Sequence, residues 1–145
     1  MLRAPTTDKF DRPRPLAGPA VFSRMKSGYR YNRFSDQPFN LSGEVIERPD
    51  CLIVNGPGGS AGISVEAGEE IGVVIGAHDW SGVIELRFEN GPAESVDLYS
   101  WYSWQRVLIL PPRSRAGVWT LKVTGRNPAS RGEQLCLVGL LRKKR

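Results

Sequence analysis

Gly, Pro and Asn breaks punctuate this chain so closely from residue 43 onward that no long helix fits between them. The 145 residues include 16 Gly and 11 Pro, and between the breaks apolar and polar residues alternate with the period of two that a half-buried strand requires. Residues 83–89 give the cleanest case: Ile84, Leu86 and Phe88 point one way, and Glu85, Arg87 and Glu89 the other. Asn90-Gly91 follows, the strongest short-range hairpin signal. Trp119, Leu121 and Val123 alternate with Thr120, Lys122 and Thr124 until Gly125 closes the strand.

Other segments fill in the pattern. Ile71, Val73 and Ile75 share a face while Val74 makes the opposite face apolar too, which predicts a central strand. Residues 107–110, stopped by Pro111-Pro112, and residues 135–141 are also apolar on both faces. Val96 and Leu98 continue inward after the hairpin. Residues 43–47 and 51–55 read as short strands, the second ended by a loop Gly56-Pro57-Gly58-Gly59. Ile63 and Val65 then mark a further strand before the Ala67-Gly68 turn. Upstream, Tyr29, Tyr31 and Arg33 alternate with Arg30 and Asn32 as a strand with an aromatic face. About nine short strands and no segment of period 3.6 predict an all-β, antiparallel sandwich or barrel. The expected division is an extended Pro/Arg-rich arm over residues 1–20, one β-sandwich domain over 21–142 and a basic tail over 143–145.

A chain of this length builds one core. No apolar run approaches the roughly 20 residues of a membrane span, and the N-terminal stretch has no unbroken apolar core of a secretory signal. The sequence is therefore read as cytoplasmic or as part of a longer secreted parent. The net charge is +5, but much of the excess lies in Arg3, Lys9, Arg12, Arg14 and the terminal Arg142-Lys143-Lys144-Arg145, where charge runs are ordinarily solvated. A nucleic-acid partner is not expected. Cys51 and Cys136 sit among apolar neighbours and read as buried free thiols; one disulfide would need adjacent strands and an oxidising compartment. One His and two Cys do not make a structural zinc site, and no cofactor is expected.

Several motifs carry little chemistry in this setting. Gly58-Gly59-Ser60-Ala61-Gly62 spells a nucleophile elbow, but that elbow needs a strand-to-helix turn, and Ile63-Ser64-Val65-Glu66 reads as a strand. Gly56, Gly58 and Ala61 form a partial dinucleotide fingerprint without the helix that would hold a pyrophosphate. Glu69 and Glu70 are adjacent in a turn and point different ways, so they do not form the carboxylate pair of glycoside hydrolysis. Asn40-Leu41-Ser42 is a glycosylation sequon that matters only in a secreted protein. His78 and Asp79, in the turn 77–82, read either as a metal or acid–base pair or as a solvent-exposed turn.

The aromatics say more. Trp80 lies in one loop, and Tyr99, Trp101, Tyr102 and Trp104 lie in another where alternation is lost. Flat rings on loops beside polar groups form platforms for sugar C–H faces; the alternative is that Trp101 and Trp104 plug the end of the sandwich.

Val96-Asp97-Leu98-Tyr99-Ser100, Gln105-Arg106-Val107-Leu108, Thr120-Leu121-Lys122-Val123-Thr124-Gly125 and Asn127-Pro128-Ala129-Ser130, in this order, resemble galactose-binding-like jelly-roll modules, as does the Trp80-Ser81-Gly82 turn. The resemblance covers the second half of the chain. It implies a jelly-roll sandwich, usually non-catalytic, whose end loops bind sugars, peptides or other surfaces. Many such modules hold a structural calcium ion, but no acidic loop cluster here carries that over, and Cys136-Leu137-Val138-Gly139-Leu140 departs from a more acidic final strand. The expected function is a carbohydrate-binding module for a glycan or polysaccharide. Trp80, Trp101, Tyr102 and Trp104 would stack on sugar rings, and His78, Asp79 and Arg106 would bond hydroxyls. A structural or assembly module of an envelope or virion complex, reaching a protein partner through the N-terminal arm, is the alternative.

Overall fold

The computed structural model describes residues 29–143. Nine strands follow in order: β1 (Arg30–Arg33), β2 (Asn40–Glu47), β3 (Leu52–Val65), β4 (Glu70–Ala77), β5 (Val83–Phe88), β6 (Ala93–Asp97), β7 (Trp104–Leu110), β8 (Gly117–Gly125) and β9 (Gln134–Lys143). Among the described residues the only helical turn is a 3-10 turn over Phe34–Asp36. The strands are paired antiparallel in the order β6-β5-β8-β3-β9-β4-β7, with β1 added to β9 and β2 to β3. The expected antiparallel all-β sandwich is the observed fold.

The sheet folds over on itself through β3. Leu52 to Asn55 pair with β9, while Ser60 to Val65 pair with β8. One leaf is thus β6-β5-β8-β3 and the other β3-β9-β4-β7. The predicted break at Gly56-Pro57-Gly58-Gly59 is not a loop between two strands. It is the corner at which one 14-residue strand passes between leaves. Glycine and proline weaken a flat ladder, but at a corner they permit the bend and the close backbone approach it needs. The Gly56–Pro57 peptide is cis. β2 follows the same corner, with a register shift between Ser42 and Glu44.

Alternation explains the core. Ile84, Leu86 and Phe88 from β5 and Trp119, Leu121 and Val123 from β8 meet Ile71, Val73 and Ile75 from β4 and Leu108 and Leu110 from β7 in one buried cluster. The inward parity of β9 changes midway, from Leu135 and Leu137 to Leu140. A bulge against Val74/Ile75 causes it: Val74 faces Gly139 and Ile75 faces Leu137, so Val138 is unpaired. β4 and β9 lie inside the sheet, and both of their faces are apolar. The outer face of their leaf buries Val74 and Leu141 under Tyr29, Tyr31, Val107 and Val138. Burial and the neighbouring Glu70 push the Tyr29 hydroxyl up to about 12. The aromatic face predicted for Tyr29 and Tyr31 is therefore real, whereas the arm, residues 1–20, and residues 21–28 of the expected domain lie outside the described residues.

Arg142 overturns the expectation of a solvated basic end. β9 runs on to Lys143, and the Arg142 Nε and Nη2 donate to both carboxylate oxygens of Glu69 at 2.9 and 3.0 Å, with Nη2 also on the Ser64 carbonyl at 2.6 Å. Glu69 is buried, so this two-pronged pair compensates a desolvated carboxylate.

Cys51, just ahead of β3, and Cys136, on the adjacent β9, are buried free thiols packed with Ile53, and burial beside Cys51 pushes the Cys136 thiol up. A thiol-specific reagent should react with neither cysteine in the folded protein at neutral pH and with both after denaturation; rapid labelling of the native chain would contradict this burial. At the corner, a Cβ on Gly56 would overlap Val123, so Gly56→Ala should destabilise by roughly 1–3 kcal/mol, as forced overpacking does, read as a lowered midpoint in urea unfolding.

Candidate functional site

Three connections gather at the end of the sandwich where β5 begins and β8 ends: residues 78–82, 98–103 and 126–133. Backbone hydrogen bonds tie them together. The Leu98 amide donates to the Gly82 carbonyl at 3.0 Å, and that of Ser100 to the His78 carbonyl at 3.2 Å. The Arg131 amide donates to the Asp79 carbonyl at 2.7 Å and that of Gln134 to the Trp80 carbonyl at 3.0 Å.

Ser130 is the knot of this end. It is buried, and its hydroxyl oxygen lies 2.7 Å from the Ser81 carbonyl, 2.9 Å from that of Gly132 and 3.2 Å from that of Asp79. A hydroxyl has one proton, so it donates to one of these at a time while its lone pair accepts from the Gly132 amide at 3.3 Å. Asn127 starts the loop: its side-chain oxygen accepts from the Ala129 amide at 2.8 Å, an Asx turn ahead of Pro128. Its Nδ2 donates to Asp97 Oδ2 at 2.7 Å, and Asp97 Oδ1 accepts from the Tyr99 amide at 3.0 Å.

His78 is not the exposed turn residue that the sequence suggested. It is 2% exposed. Its Nδ1 accepts from the Trp80 amide at 3.1 Å, and its own amide donates to Ser81 Oγ at 3.0 Å. As an acceptor at Nδ1, the neutral ring carries its proton on Nε2. The turn closes around the imidazole because these short bonds need a side chain that can accept at that place. Asp79 is mostly covered and lies 3.7 Å from the Arg131 guanidinium.

The aromatics remain outside. Trp101 is 57% exposed, Tyr102 42%, Trp80 39% and Trp104 38%. The alternative in which Trp101 and Trp104 plug the sandwich fails on these values. Trp101 meets Tyr102 edge-on with ring centres 5.0 Å apart, and Tyr102 stacks on Trp104 at 6.3 Å. Three of the four tryptophans carry a guanidinium on the ring: Arg106 over Trp104 at 6.0 Å, Arg131 over Trp80 at 5.8 Å and Arg113 over Trp119 at 5.0 Å. Among the described residues Trp101 has no such lid. Gly132 backs onto Trp80, since a Cβ there would stand 2.7 Å from the indole. Arg106 also donates to the Asp97 carbonyl at 3.3 Å.

The sequence-predicted residues Trp80, Trp101, Tyr102, Trp104, His78, Asp79 and Arg106 thus all belong to this end, His78 as a buried support. Sequence reasoning did not assign Arg131, Ser130, Asn127 or Asp97 to the site, although Asn127-Pro128 is a readable turn signal. Among the described residues no group of three or more His, Cys, Asp or Glu side chains gathers as metal ligands. Ser60 lies inside β3, opposite Lys122, not on a strand-to-helix turn. No helix among the described residues is long and apolar enough to cross a membrane.

The chain matches no protein-family model and no curated protein. Its fold does match solved structures. It is similar to a family two carbohydrate esterase from Cellvibrio japonicus, at TM-score 0.61 and 19% identity over 78% of this chain and 32% of that one. It is similar to a two-domain esterase active on acetylated mannans, at TM-score 0.60 and 11% identity over 81% of this chain and 37% of that one. A family 35 carbohydrate-binding module from Clostridium thermocellum matches at TM-score 0.52 and 13% identity, over 79% of this chain and 98% of that one. The chain therefore corresponds to about a third of each esterase and to nearly the whole of the binding module. The jelly-roll β-sandwich expected from the second half of the sequence fits the fold of the described chain.

Ser130→Ala leaves buried carbonyls of two loops without their shared hydroxyl. It should cost roughly 1–3 kcal/mol and raise amide exchange first at Gly132, with β4 and β8 protected as before; unchanged protection at Gly132 would refute the knot.

Proposed function

We propose that this chain is a non-catalytic carbohydrate-binding module that recognises a glycan through the aromatic rings of residues 101–104, where the loop 98–103 meets the start of β7. The observation that carries the reading is Trp101: a large ring, 57% exposed, on a loop whose backbone is fixed by its neighbours. Leaving such a ring in water forfeits the free energy of burying it, about 25 cal/mol per Å² of apolar surface, and clustered exposed rings mark interaction sites. The axial C–H face of a sugar fits a flat indole, and its hydroxyls suit donors held beside the ring. Arg106, over Trp104 and bonded to the Asp97 carbonyl, and Arg131, over Trp80, supply such donors; Asp79 supplies an acceptor. His78 would act by holding the Trp80 turn and not by touching sugar.

The fold supports this reading because a carbohydrate-binding module shares it over nearly its full length. The esterases share it over about a third of theirs, as an appended module would. Ser60, within a strand, gives no support to hydrolysis.

Trp101→Ala should fold with a stability within about 0.5 kcal/mol of the parent, as surface changes do. It should lose about tenfold or more in affinity, the scale of a central aromatic contact. Isothermal titration against glycans selected from an array checks both; binding unaffected by the substitution would place recognition elsewhere.

A further inference from the structure

The other end of the sandwich, about 20 Å away along β5 and β8, carries an arrangement that the aromatic loop does not use. A cavity of about 330 Å³ near β2 is lined largely by apolar side chains, and an open groove beside Arg142 has as its one cation an arginine already paired with Glu69. A smaller cavity, of about 200 Å³, is different. It is lined by Phe88, Gly91, Pro92, Arg113, Ser114 and Arg115, between the β5–β6 turn and the β7–β8 connection.

Both arginines are exposed, and both lie on the same ring. The Arg113 guanidinium is 5.2 Å from the Phe88 centre and 5.0 Å from that of Trp119; Arg115 is 6.0 Å from the Phe88 centre. Two groups so close to one centre are no more than about 11 Å apart. Their connection is anchored, since the Arg113 carbonyl accepts from the Gly68 amide at 2.8 Å. Among the described residues neither arginine has a carboxylate partner. Glu89, next to Phe88, turns its Oε2 to the Val118 amide at 2.6 Å. Like charges converging on one ring repel each other, and each guanidinium already rests over a ring before any ligand arrives.

We propose that this arginine shelf is a second binding site, which takes successive anionic groups, carboxylate or sulfate, of an acidic polysaccharide. The forks match such oxyanions, and one chain can carry charges to both arginines at once. The choice of a polysaccharide rests on the glycan-binding reading above; the geometry of the shelf does not depend on the aromatic loop.

The test is titration, at about 0.15 M salt where weak surface attraction is screened, with heparin-derived oligosaccharides, galacturonate oligomers, neutral oligosaccharides and polyphosphate. The proteins are the parent, Arg113→Gln/Arg115→Gln, Arg115→Gln alone and Trp101→Ala. The expected result is binding of a sulfated or a carboxylated oligosaccharide, the two arms identifying the anion. That affinity should fall about tenfold or more in the double variant and measurably in Arg115→Gln, which keeps the Arg113 packing if the double variant unfolds. It should stay within about twofold in Trp101→Ala. No binding of either acidic oligosaccharide, equal binding of polyphosphate, or an affinity indifferent to Arg115→Gln overturns the proposal. Neutral glycans bound without acidic ones would leave the aromatic platform standing and remove the shelf. Acidic binding that survives Trp101→Ala, with no neutral glycan bound, would do the reverse.

Discussion

The passage of β3 from one leaf to the other is the constraint on which the structure depends. A single backbone that pairs with β9 through Leu52 to Asn55 and with β8 through Ser60 to Val65 closes the sandwich at that edge without leaving an unpaired strand there. It requires a corner where backbones touch, and Gly56 sits against Val123 for that reason. β2 must follow, and its register shift near Gly43 lets it do so. Among the described residues β1, β2, β6 and β7 each pair with one strand only and so keep a free edge. β6 is short and carries Glu94 and Asp97, and charge of this kind discourages edge-to-edge pairing.

The corner also sets the loop end. The Gly56 amide donates to the Glu133 carbonyl at 2.9 Å, which fixes where the β8–β9 connection returns to the sheet. Ser130 and the amides of Arg131 and Gln134 then bind that connection to residues 79–81, and Leu98 and Ser100 bind the third loop to the second. Backbone groups hold the three loops, so the large side chains they carry are not needed as filling. Aromatic exposure at this end follows from hydrogen bonding beneath it.

Much of this was legible in the sequence and some could not be. The β5 alternation, the Asn90-Gly91 hairpin and the two-faced apolar character of β4 and β9 are local patterns, and each maps directly onto an element. The Gly56–Gly59 stretch misled because glycine and proline signal a break equally well for a loop and for a bend within a strand; only the pairing partners on either side distinguish them. His78 misled for a related reason. A turn histidine next to an aspartate has the composition of a surface turn, and the loops hydrogen-bonded to that turn, through Leu98, Ser100, Ser130 and Arg131, are distant in sequence. Arg142 belonged by composition to a basic end, yet a buried Glu69, 73 positions away, draws it into the sheet. The aromatic loop was found because lost alternation is itself a local signal, whereas Arg131 and Ser130 became visible only once β8 and β9 had brought their loop alongside Trp80.

The distribution of arginine over tryptophan sharpens the division between framework and surface. A guanidinium on an indole shields part of the ring from water while its edge donors stay hydrated or bonded. Trp119, lidded by Arg113 and packed on Phe88 at 5.4 Å, is 5% exposed and serves the core. Trp80 and Trp104 are intermediate: each is partly exposed, and each lid, Arg131 or Arg106, is tethered to an aspartate or its carbonyl. Trp101 has only the edge of Tyr102. On the proposed glycan-binding reading, a sugar ring would settle on Trp101 without displacing a cation, and its hydroxyls would meet guanidiniums that already lie over the neighbouring rings. Pre-placed donors reduce the ordering cost of association, so on that reading the lidded tryptophans would supply selectivity and the bare one contact area.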